Sequence, residues 1–383
     1  MRILTFLHSF EPGGVERVAL RLVRAWRTEG VDAPLLMGRP DGATRTELAA
    51  DLAYDLPRRP PFPIGWIETL WMIAILPRAI ARLRPDALFC AGNSYTIVAL
   101  AMKLLLGRRC PPIVAKISND LARRDMFPPV RWLYRQWLRL HGYFIDHFVG
   151  MEGPMAAEIG MAIPAAVGRI TIIPDPALDE RQIARLHHAP RMDRGPCARD
   201  LRFVAIGRLA SQKNIPLMLR AFAQGASAGD SLTIHGDGPE RSMLTALSSD
   251  LHLDGRVTFA GHVPDPASRL ADFDIFLLSS DYEGVPAVIL EALAAGLPII
   301  ATRCSASMAT LTGDGALAHL VEPRDLEGLS AAIRDADHLR QDRAASRAQA
   351  RRFTIERASH AYLACFQAIR RTHRPQNIFL PLD

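Results

Sequence analysis

The sequence contains few cysteines and no long apolar run, and each shortage argues against a class of protein. The five cysteines are scattered and form no CxxC pair. A structural zinc site or a disulfide framework is therefore not expected, and a reducing cytoplasm is favoured. No window reaches the roughly 18 to 20 apolar residues of a membrane span, since the nearest, residues 64–76, contains Glu68 and is closed by Pro77. The N-terminal MRILTFLHSF lacks the apolar core and cleavage site of a signal peptide and is typical of a buried strand.

The net charge of +6 is concentrated in the N-terminal half of the 383-residue chain. Residues 1–181 contain 23 Lys+Arg against 18 Asp+Glu, whereas the remainder contains 23 against 22. A basic half suits nucleic acid, an anionic lipid surface or an anionic substrate. Nucleic acid is disfavoured because the sequence has no dense basic run with interleaved aromatics and no finger, helix-turn-helix or ribonucleoprotein motif.

Short apolar runs alternate with helical patterns twice along the chain, as in RILTFLH before VERVALRLVRAWRTEG and RFVAIG before IPLMLRAFAQGA. Apolar strands that are each followed by a helix predict parallel sheets covered on both faces. The predicted fold class is α/β, with two Rossmann-like domains whose parallel sheets face an interdomain cleft. The predicted boundaries are residues 1–185, a linker at 186–200, residues 201–352, and a C-terminal helix and tail at 353–383 that crosses back to the N-terminal domain. Ligands of such sheets bind at the carboxyl ends of the strands.

The loop after the first predicted strand, EPGGVERVAL, places Gly13 and Gly14 at the start of a helix. Glycines let the backbone approach a ligand, and the free amides of a helix N-terminus favour an anion. The motif is not a GxGxxG, and an ordinary strand-to-helix turn explains it equally well.

The corresponding loop of the second domain, GRLASQKN at 207–214, contains two cations, Arg208 and Lys213. The chain has only three lysines against 43 arginines, so a lysine here is not a product of composition. A guanidinium fork and an ammonium point charge on one strand-end loop suit a diphosphate. The alternative is a solvated basic loop.

Two further strand ends follow. HGDGPE, which contains Gly236 and Asp237, has a flat glycine-rich form on which a nucleoside can lie, although such turns are common. FAGHVPD ends another strand with a turn, and His262 within it is more simply a structural histidine than a catalyst.

The stretch DYEGVPAVILEALAAGLPII at 281–300 combines two carboxylates with an apolar helix and contains no lysine or arginine. Pro286 fits the first helical turn, which places Glu283 before the helix and Glu291 inside it. Amides of Gly284 and Val285 at the helix N-terminus favour a phosphate or sugar oxygen. A carboxylate is a bidentate acceptor for vicinal hydroxyls, and a buried one needs a partner. The alternative is that both glutamates cap the helix or face solvent.

Together these motifs resemble the retaining glycosyltransferases of family 4, which have the GT-B fold. The likeness runs from GGVER through GRLASQKN, HGDGPE, FAGHVPD and EGVPAVILEALAAGLPIIAT to GDGALAHLVEPRD and the C-terminal helix. It covers the second domain throughout and the first mainly at its glycine loop. Each motif is common alone, whereas the set is specific.

The resemblance implies a nucleotide-sugar donor bound mostly by the second domain. Arg208 and Lys213 would hold the diphosphate and stabilise charge on the leaving group, Glu291 would take the ribose hydroxyls, and Glu283 would orient the donor sugar. It implies no cofactor and no metal, because the cations and amides supply the electrostatics and no DxD pair occurs at these strand ends. The implied donor-binding contacts beyond these side chains come from Gly14, Gly207, Gly236, Asp237, Val263, Gly284, Val285 and Pro286.

One segment departs from the family pattern. The family often has a histidine after the fourth strand of the first domain, where this chain reads IVAKISNDLARRD. Asn119 and Asp120 stand where His-Asp would be expected, and asparagine cannot act as a base. Lys116, Asn119 and Asp120 remain candidates for contact with the acceptor or the sugar.

The first domain is expected to choose the acceptor. Two of its stretches, residues 56–84 and 127–144, mix aromatic, apolar and arginine residues. Such helices suit an anionic bilayer surface, and a core helix with a solvated basic face is the alternative for each. We therefore expect peripheral contact with an anionic membrane to accompany a glycan or lipid-linked acceptor.

The sequence thus predicts a cytoplasmic enzyme that contacts the inner face of the cytoplasmic membrane. It would move a hexose-type sugar from a UDP- or GDP-sugar, with retention of configuration, in cell-envelope polysaccharide synthesis. One alternative is a catalytically inactive, nucleotide-sugar-binding scaffold, favoured only by Asn119. A nucleotide-sugar epimerase would need acids and bases that the motifs lack, and a dinucleotide dehydrogenase would need a GxGxxG.

Overall fold

The structure, a computed structural model, describes residues 1–11, 14–42, 44–58, 67–117, 121, 127–189, 200–283, 285–305 and 307–373. The chain forms two compact units. The first contains Met1–Pro176 and the chain from Ile355 onward, and the second is Ala177–Thr354.

The first unit is built on a six-stranded parallel sheet in the order β2-β1-β3-β4-β5-β6. Its strands are β1 (Ile3–Leu7), β2 (Leu35–Met37), β3 (Ala87–Cys90), β4 (Ile113–Lys116), β5 (His147–Gly150) and β6 (Ile170–Ile172). Its helices are α1 (Gly14–Thr28), α2 (Thr44–Leu48), α3 (Glu68–Leu83), α4 (Thr96–Leu106), α5 (Pro128–Phe144), α6 (Gly153–Ala162) and, at the end of the chain, α14 (Ile355–His373).

The second unit has a six-stranded parallel sheet in the order β12-β11-β10-β7-β8-β9. Its strands are β7 (Arg202–Ile206), β8 (Ser231–His235), β9 (Val257–Gly261), β10 (Ile275–Leu278), β11 (Ile299–Thr302) and β12 (His319–Val321). Its helices are α7 (Glu180–His188), α8 (Ile215–Gly225), α9 (Arg241–Asp250), α10 (Ala287–Ala295), α11 (Ser307–Leu311), α12 (Leu326–Arg334) and α13 (Arg343–Ala350).

The strands form where the sequence is predominantly apolar. All residues of β1, β3, β4, β10 and β11 are buried, as expected of parallel strands covered on both faces. The predicted α/β class, with two Rossmann-like domains built on parallel sheets, is confirmed. No helix among the described residues is long and apolar enough to cross a membrane. α3, which contains Pro77, instead buries one face in the first unit.

The chain divides at Pro176 and not at the predicted residue 185, because α7 packs on α10 of the second unit. A capping box fixes the start of α7: the Asp179 side chain accepts from the Gln182 amide, and the Gln182 side chain accepts from the Asp179 amide. Of the predicted linker, residues 186–188 lie in α7, and residues 190–199 lie outside the described part of the chain.

The C-terminal helix α14 belongs to the first unit, where it packs on α1. Trp26 of α1 meets Tyr362 and Phe366 of α14 edge to face, with ring centroids 6.1 and 5.6 Å apart. Phe89 of β3 contacts the Tyr362 ring at 5.2 Å. This aromatic cluster is fully buried, so the helix completes a core begun by residues far earlier in the chain.

Candidate active site

The second unit has a topological switch point where β7 lies beside β10. The chain proceeds outward from β7 to β8 and β9 on one side, and from β10 to β11 and β12 on the other. Ligands of doubly wound sheets bind at the carboxyl ends of the strands that flank such a reversal. The loops that follow β7 and β10 contain the motifs GRLASQKN and DYEGVP, which hold the predicted residues Arg208, Lys213 and Glu283.

A partly buried ion pair joins these two loops. The Nζ of Lys213 lies 2.5 Å from Oε1 of Glu283, and the two side chains are 18% and 11% exposed. The same carboxylate oxygen accepts a hydrogen bond of 2.8 Å from the Ser280 hydroxyl. The other oxygen lies 3.4 Å from the side-chain nitrogen of Gln212, and the Glu283 amide donates to the carbonyl of Cys304 at 2.9 Å. Carboxylate and ammonium are thus fixed in one place from both sides of the switch point.

A second polar contact holds the loops together. Asn214, in the left-handed conformation with φ of 44°, donates to Asp281 at 2.8 Å. Arg324 donates two hydrogen bonds to the other oxygen of Asp281 at 2.9 and 2.8 Å. Hydrogen bonding from Arg324, and then from Asn214, lowers the pKa of Asp281, against the effect of its burial. The Ser279 hydroxyl also contacts the carbonyls of Lys213 and Asn214, so the backbone that carries Lys213 is braced.

Glycines let the ends of β7 and β8 approach each other closely. Gly236 has a φ of 144°, and a Cβ placed on it would lie 1.9 Å from the Gly207 carbonyl oxygen. A Cβ on Gly238 would lie 2.3 Å from the Leu209 carbonyl oxygen. A Cβ on Gly207 would press on the side chain of Lys213, with its Cε at 3.1 Å. The glycines of these motifs are therefore required by the packing of the strand ends and by the space around Lys213.

We expect Gly236→Ala to destabilise the second unit more than Gly255→Ala does. Gly255 also has a positive φ, of 80°, but a Cβ there would meet no atom within 4 Å. The control carries only the backbone strain, about 1 kcal/mol, whereas Gly236→Ala adds the clash with Gly207 and should cost about 3 kcal/mol or more in total. Urea unfolding followed by circular dichroism measures both losses. Equal losses of unfolding free energy would mean that the ends of β7 and β8 can move apart to accommodate the added methyl group without a further cost in stability.

The other predicted donor residues of this unit have different environments. Arg208 is exposed and forms no ion pair with another described residue. Asp237 is exposed, accepts from the Gly238 amide at 2.8 Å and lies 3.4 Å from Arg241. Val263, in the loop after β9, is half-buried.

The start of α10 differs slightly from the prediction. Pro286 is the N-cap residue, and the helix begins at Ala287. Glu291 therefore lies in the second turn of α10, where it is half-buried, as is Val285 before the helix. Gly284 lies outside the described residues.

The predicted site residues of the first unit lie in different environments. The Nζ of Lys116 lies 2.5 Å from Asp175, and the lysine side chain is 2% exposed. Its ammonium is used inside the fold, and the expectation that it contacts acceptor or sugar is not supported by this geometry. Gly14 begins α1, is exposed, and has no atom within 4 Å of a hypothetical Cβ, so the described fold does not itself require glycine there. Asn119 and Asp120 lie outside the described residues.

A cavity of about 430 Å³ lies beside α4 and α5 of the first unit. Its lining combines apolar and aromatic side chains with several polar ones: Asn93, Ser94, Thr96, Ile97, Ile117, Tyr134, Trp137, Leu138, His141 and Ile163. Burial lowers the pKa of His141, whose Nδ1 lies 3.0 Å from the Trp137 carbonyl. A largely apolar cavity with a few polar groups is typical of a small-molecule site.

The sequence analysis did not single out a polar group at the switch point of the first unit, where β1 lies beside β3. His8 directly follows β1, and its ring stacks on Tyr95 with centroids 4.7 Å apart. The Tyr95 hydroxyl donates to Glu16 at 2.6 Å. Burial, and then Arg39, lowers the pKa of His8 to about 4, so this imidazole is neutral near pH 7. Ser280 and Asn214 of the second unit were missed as well, because serine and asparagine in a loop carry no distinctive pattern.

Comparisons with known proteins agree with the arrangement of both units. A family model described as Glycosyltransferase Family 4 matches residues 12–205, and one described as Glycosyl transferases group 1 matches residues 200–336. The chain is 35% identical over 165 residues to the lipopolysaccharide core biosynthesis glycosyltransferase LpsE of Rhizobium meliloti, over 42% of this chain and 48% of that protein. It is 30% identical over 159 residues to an N-acetylgalactosaminyltransferase of Campylobacter jejuni that is named for a diphospho-undecaprenol acceptor, over 40% and 43%. The matched segments thus span about half the length of these relatives.

Solved structures show the same fold at low sequence identity. Anabaena Alr3699/HepE in complex with UDP superposes with a TM-score of 0.75 at 20% identity, over 96% of this chain and all of that one. The apo form of the lipopolysaccharide outer core galactosyltransferase WaaB gives a TM-score of 0.73 at 16% identity, over 96% and 99%. With a family model that spans more than half of the chain and two parallel-sheet units of this architecture, the protein belongs to Glycosyltransferase Family 4 and has the GT-B fold.

Proposed function

We propose that this chain transfers a hexose-type sugar from a nucleotide sugar to a glycan or lipid-linked acceptor, with retention of configuration, in cell-envelope polysaccharide synthesis. The observation that carries the proposal is the Lys213–Glu283 pair at the switch point of the second unit. The names of the relatives favour a role in the cell envelope. UDP is the favoured nucleotide, because Alr3699/HepE was solved with UDP and with UDP-glucose, and GDP is the alternative.

The donor diphosphate would bind at the carboxyl end of β7. Arg208 is exposed there, and its guanidinium fork can grip a phosphate in two places. Lys213 contacts Glu283 at 2.5 Å, so a phosphate oxygen that reaches the same ammonium lies beside the carboxylate. This arrangement suits a sugar diphosphate whose phosphate is held by Lys213 and whose hydroxyl is oriented by Glu283.

The proposed reaction breaks the bond between the anomeric carbon and the diphosphate oxygen. The acceptor hydroxyl oxygen attacks the anomeric carbon from the same face, and its proton passes to the departing phosphate oxygen. Negative charge grows on that phosphate as the bond breaks, and Lys213 and Arg208 stabilise it. Glu283 needs only to orient the sugar and forms no covalent bond in this scheme.

The acceptor would be held by the first unit. The 430 Å³ cavity beside α4 and α5 is lined by apolar and aromatic side chains together with polar ones such as Asn93 and Ser94. That combination suits an acceptor that joins a sugar to an apolar group. Asn119 and Asp120, which follow β4 in the sequence, stay proposed contacts to acceptor or sugar.

A thermal-shift screen of nucleoside diphosphates and their sugars tests the proposal. We expect UDP or UDP-sugars to raise the melting temperature selectively, by about 5–10 °C at a hundredfold excess over Kd, because binding to the folded state alone adds about 2.7 kcal/mol. Uridine, which lacks the diphosphate, serves as the control and should give a much smaller shift. If no nucleoside diphosphate or nucleotide sugar shifts the transition, the proposed donor site is wrong. A shift without transfer to any acceptor would instead favour an inactive scaffold.

A further inference from the structure

Exposed apolar side chains are concentrated in one region of the chain. Of fifteen large hydrophobic side chains that are exposed among the described residues, thirteen lie in the first unit and eleven of these between residues 97 and 167. Among its described residues, the second unit, of similar size, exposes only Met243 and Tyr282. Exposed apolar residues are normally scattered, and a concentration of this kind marks an interaction surface.

Helix α5 contributes the centre of that region. Its inner face, which includes Leu138 and His141, is buried. Trp132, Leu133, Leu140 and Tyr143 lie on the opposite side of the helix and are 60%, 60%, 45% and 77% exposed. Their spacing of one, seven and three residues places them on one face of the helix. An amphipathic helix normally turns its polar face to water, whereas α5 presents an apolar face on both sides.

Neighbouring elements extend the same surface chemistry. α4, which packs on α5, exposes Leu104 and Leu105 in its last turn, and the exposed Arg108 and Arg109 follow directly. The turn at Pro164–Ala166 contacts α5 as well, and Val167 after it is exposed.

Helix α5 itself carries positive charge only, and the surrounding region is positive on balance. α5 contains no aspartate or glutamate, and Arg135 and Arg139 are exposed at the edge of its apolar face. Neither forms an ion pair with another described residue. Residues 97–167 hold nine Lys+Arg against five Asp+Glu, a balance of +4 out of the +6 of the whole chain. Long arginine stems lie along apolar surface while their guanidinium groups reach an anionic partner.

We propose that the α5 face, formed by Trp132, Leu133, Leu140 and Tyr143 with Arg135 and Arg139 at its edge, docks on the surface of an anionic lipid bilayer. Aromatic and leucine side chains would enter the boundary between headgroups and acyl chains, and the arginines would contact anionic headgroups. A second copy of the chain fits less well, because a two-fold contact between two α5 faces would offer the arginines no acidic partner on the facing helix. The inference rests on exposure and charge alone and does not depend on the proposed transfer reaction.

Vesicle flotation tests the proposal with matched variants of the full chain. The wild-type protein should float with vesicles of phosphatidylcholine containing phosphatidylglycerol and much less with phosphatidylcholine alone. Leu133→Glu should weaken partitioning by about tenfold or more, whereas Met243→Glu, an equal change at an exposed site of the second unit, should leave it unchanged. Arg135→Glu/Arg139→Glu should weaken it by about tenfold or more, against no change for Arg220→Glu/Arg334→Glu on exposed helix positions of the second unit.

Several outcomes would overturn the proposal. One is that the wild-type protein does not bind anionic vesicles, or binds neutral ones equally well. Another is that the α5 variants and their controls lose binding equally, which would reduce the effect to overall charge. A third is that Leu133→Glu converts a dimer to a monomer in light scattering without changing flotation, which would assign the face to a second copy. Circular dichroism of each variant establishes that it is folded, since all the replaced side chains are exposed.

Discussion

Replacing Lys213 by methionine should lower kcat by about a hundred- to a thousandfold, because loss of one preorganised group that stabilises developing charge typically costs that much. The ammonium is held at one place by Glu283, with the lysine side chain 18% exposed, so water cannot readily substitute for it. Glu283→Gln keeps the shape of the side chain and its contact with Ser280 but removes the charge, and should lower kcat by a similar order. Turnover is measured as release of the nucleoside diphosphate from the donor in the presence of an acceptor.

The chain offers a matched control in another of its lysines. Lys103 lies 2.7 Å from Asp146, and their side chains are 17% and 14% exposed, close to the values for the Lys213–Glu283 pair. Lys103→Met should therefore cost a similar free energy of unfolding, because each substitution removes the ammonium from one partly buried carboxylate, while kcat in the absence of vesicles stays unchanged. If Lys213→Met and Lys103→Met reduced turnover equally, the loss would reflect stability, and Lys213 would have no role in transfer.

Much of the fold could be predicted because apolar strands and helices alternate in an unambiguous order. The assignment of α7 to the second unit could not. Its pattern shows that α7 is a helix with an apolar side, but not which sheet receives it. Its partner α10 lies far away in sequence, so the domain boundary at Pro176 needs tertiary contacts that no local pattern contains.

The same distinction applies to the site. Lys213 and Glu283 could be singled out because a rare lysine and a carboxylate occur at strand ends, and parallel topology brings adjacent strand ends together. The contact of Asn214 with Asp281 depends on a left-handed backbone conformation at Asn214. Lys116 illustrates the opposite case, since it lies at the end of β4 in a segment that the family resemblance suggested for ligand contact, whereas its ammonium pairs with Asp175 inside the fold. A sequence reports which charges lie at strand ends but not which of them the fold neutralises.

A chain that ends at Thr354 should lose the folded structure of the first unit. α14 supplies Tyr362, Phe366 and Ile369 to the core of that unit, where they are buried, and its removal would expose Trp26 and Phe89. Loss of one large buried side chain costs about 3–5 kcal/mol. Loss of several together equals or exceeds the roughly 5–15 kcal/mol by which a domain is stable. Near-ultraviolet circular dichroism and hydrogen exchange of residues 1–176 measure the loss.

Two single substitutions in α14 show whether the helix stabilises the first unit through its buried side chains. Phe366→Ala should lower the free energy of unfolding by about 3–5 kcal/mol, because Phe366 is buried against Trp26 at 5.6 Å between ring centroids. His360→Ala should change it little, because that side chain is 74% exposed and surface substitutions usually act within about 0.5 kcal/mol.

The core of the second unit contains no residue of α14, so the shortened chain should keep the nucleotide-induced thermal shift proposed for that unit. If the chain 1–354 instead retained slow hydrogen exchange throughout β1, β3 and α1, α14 would be an accessory to the first unit and not part of its core.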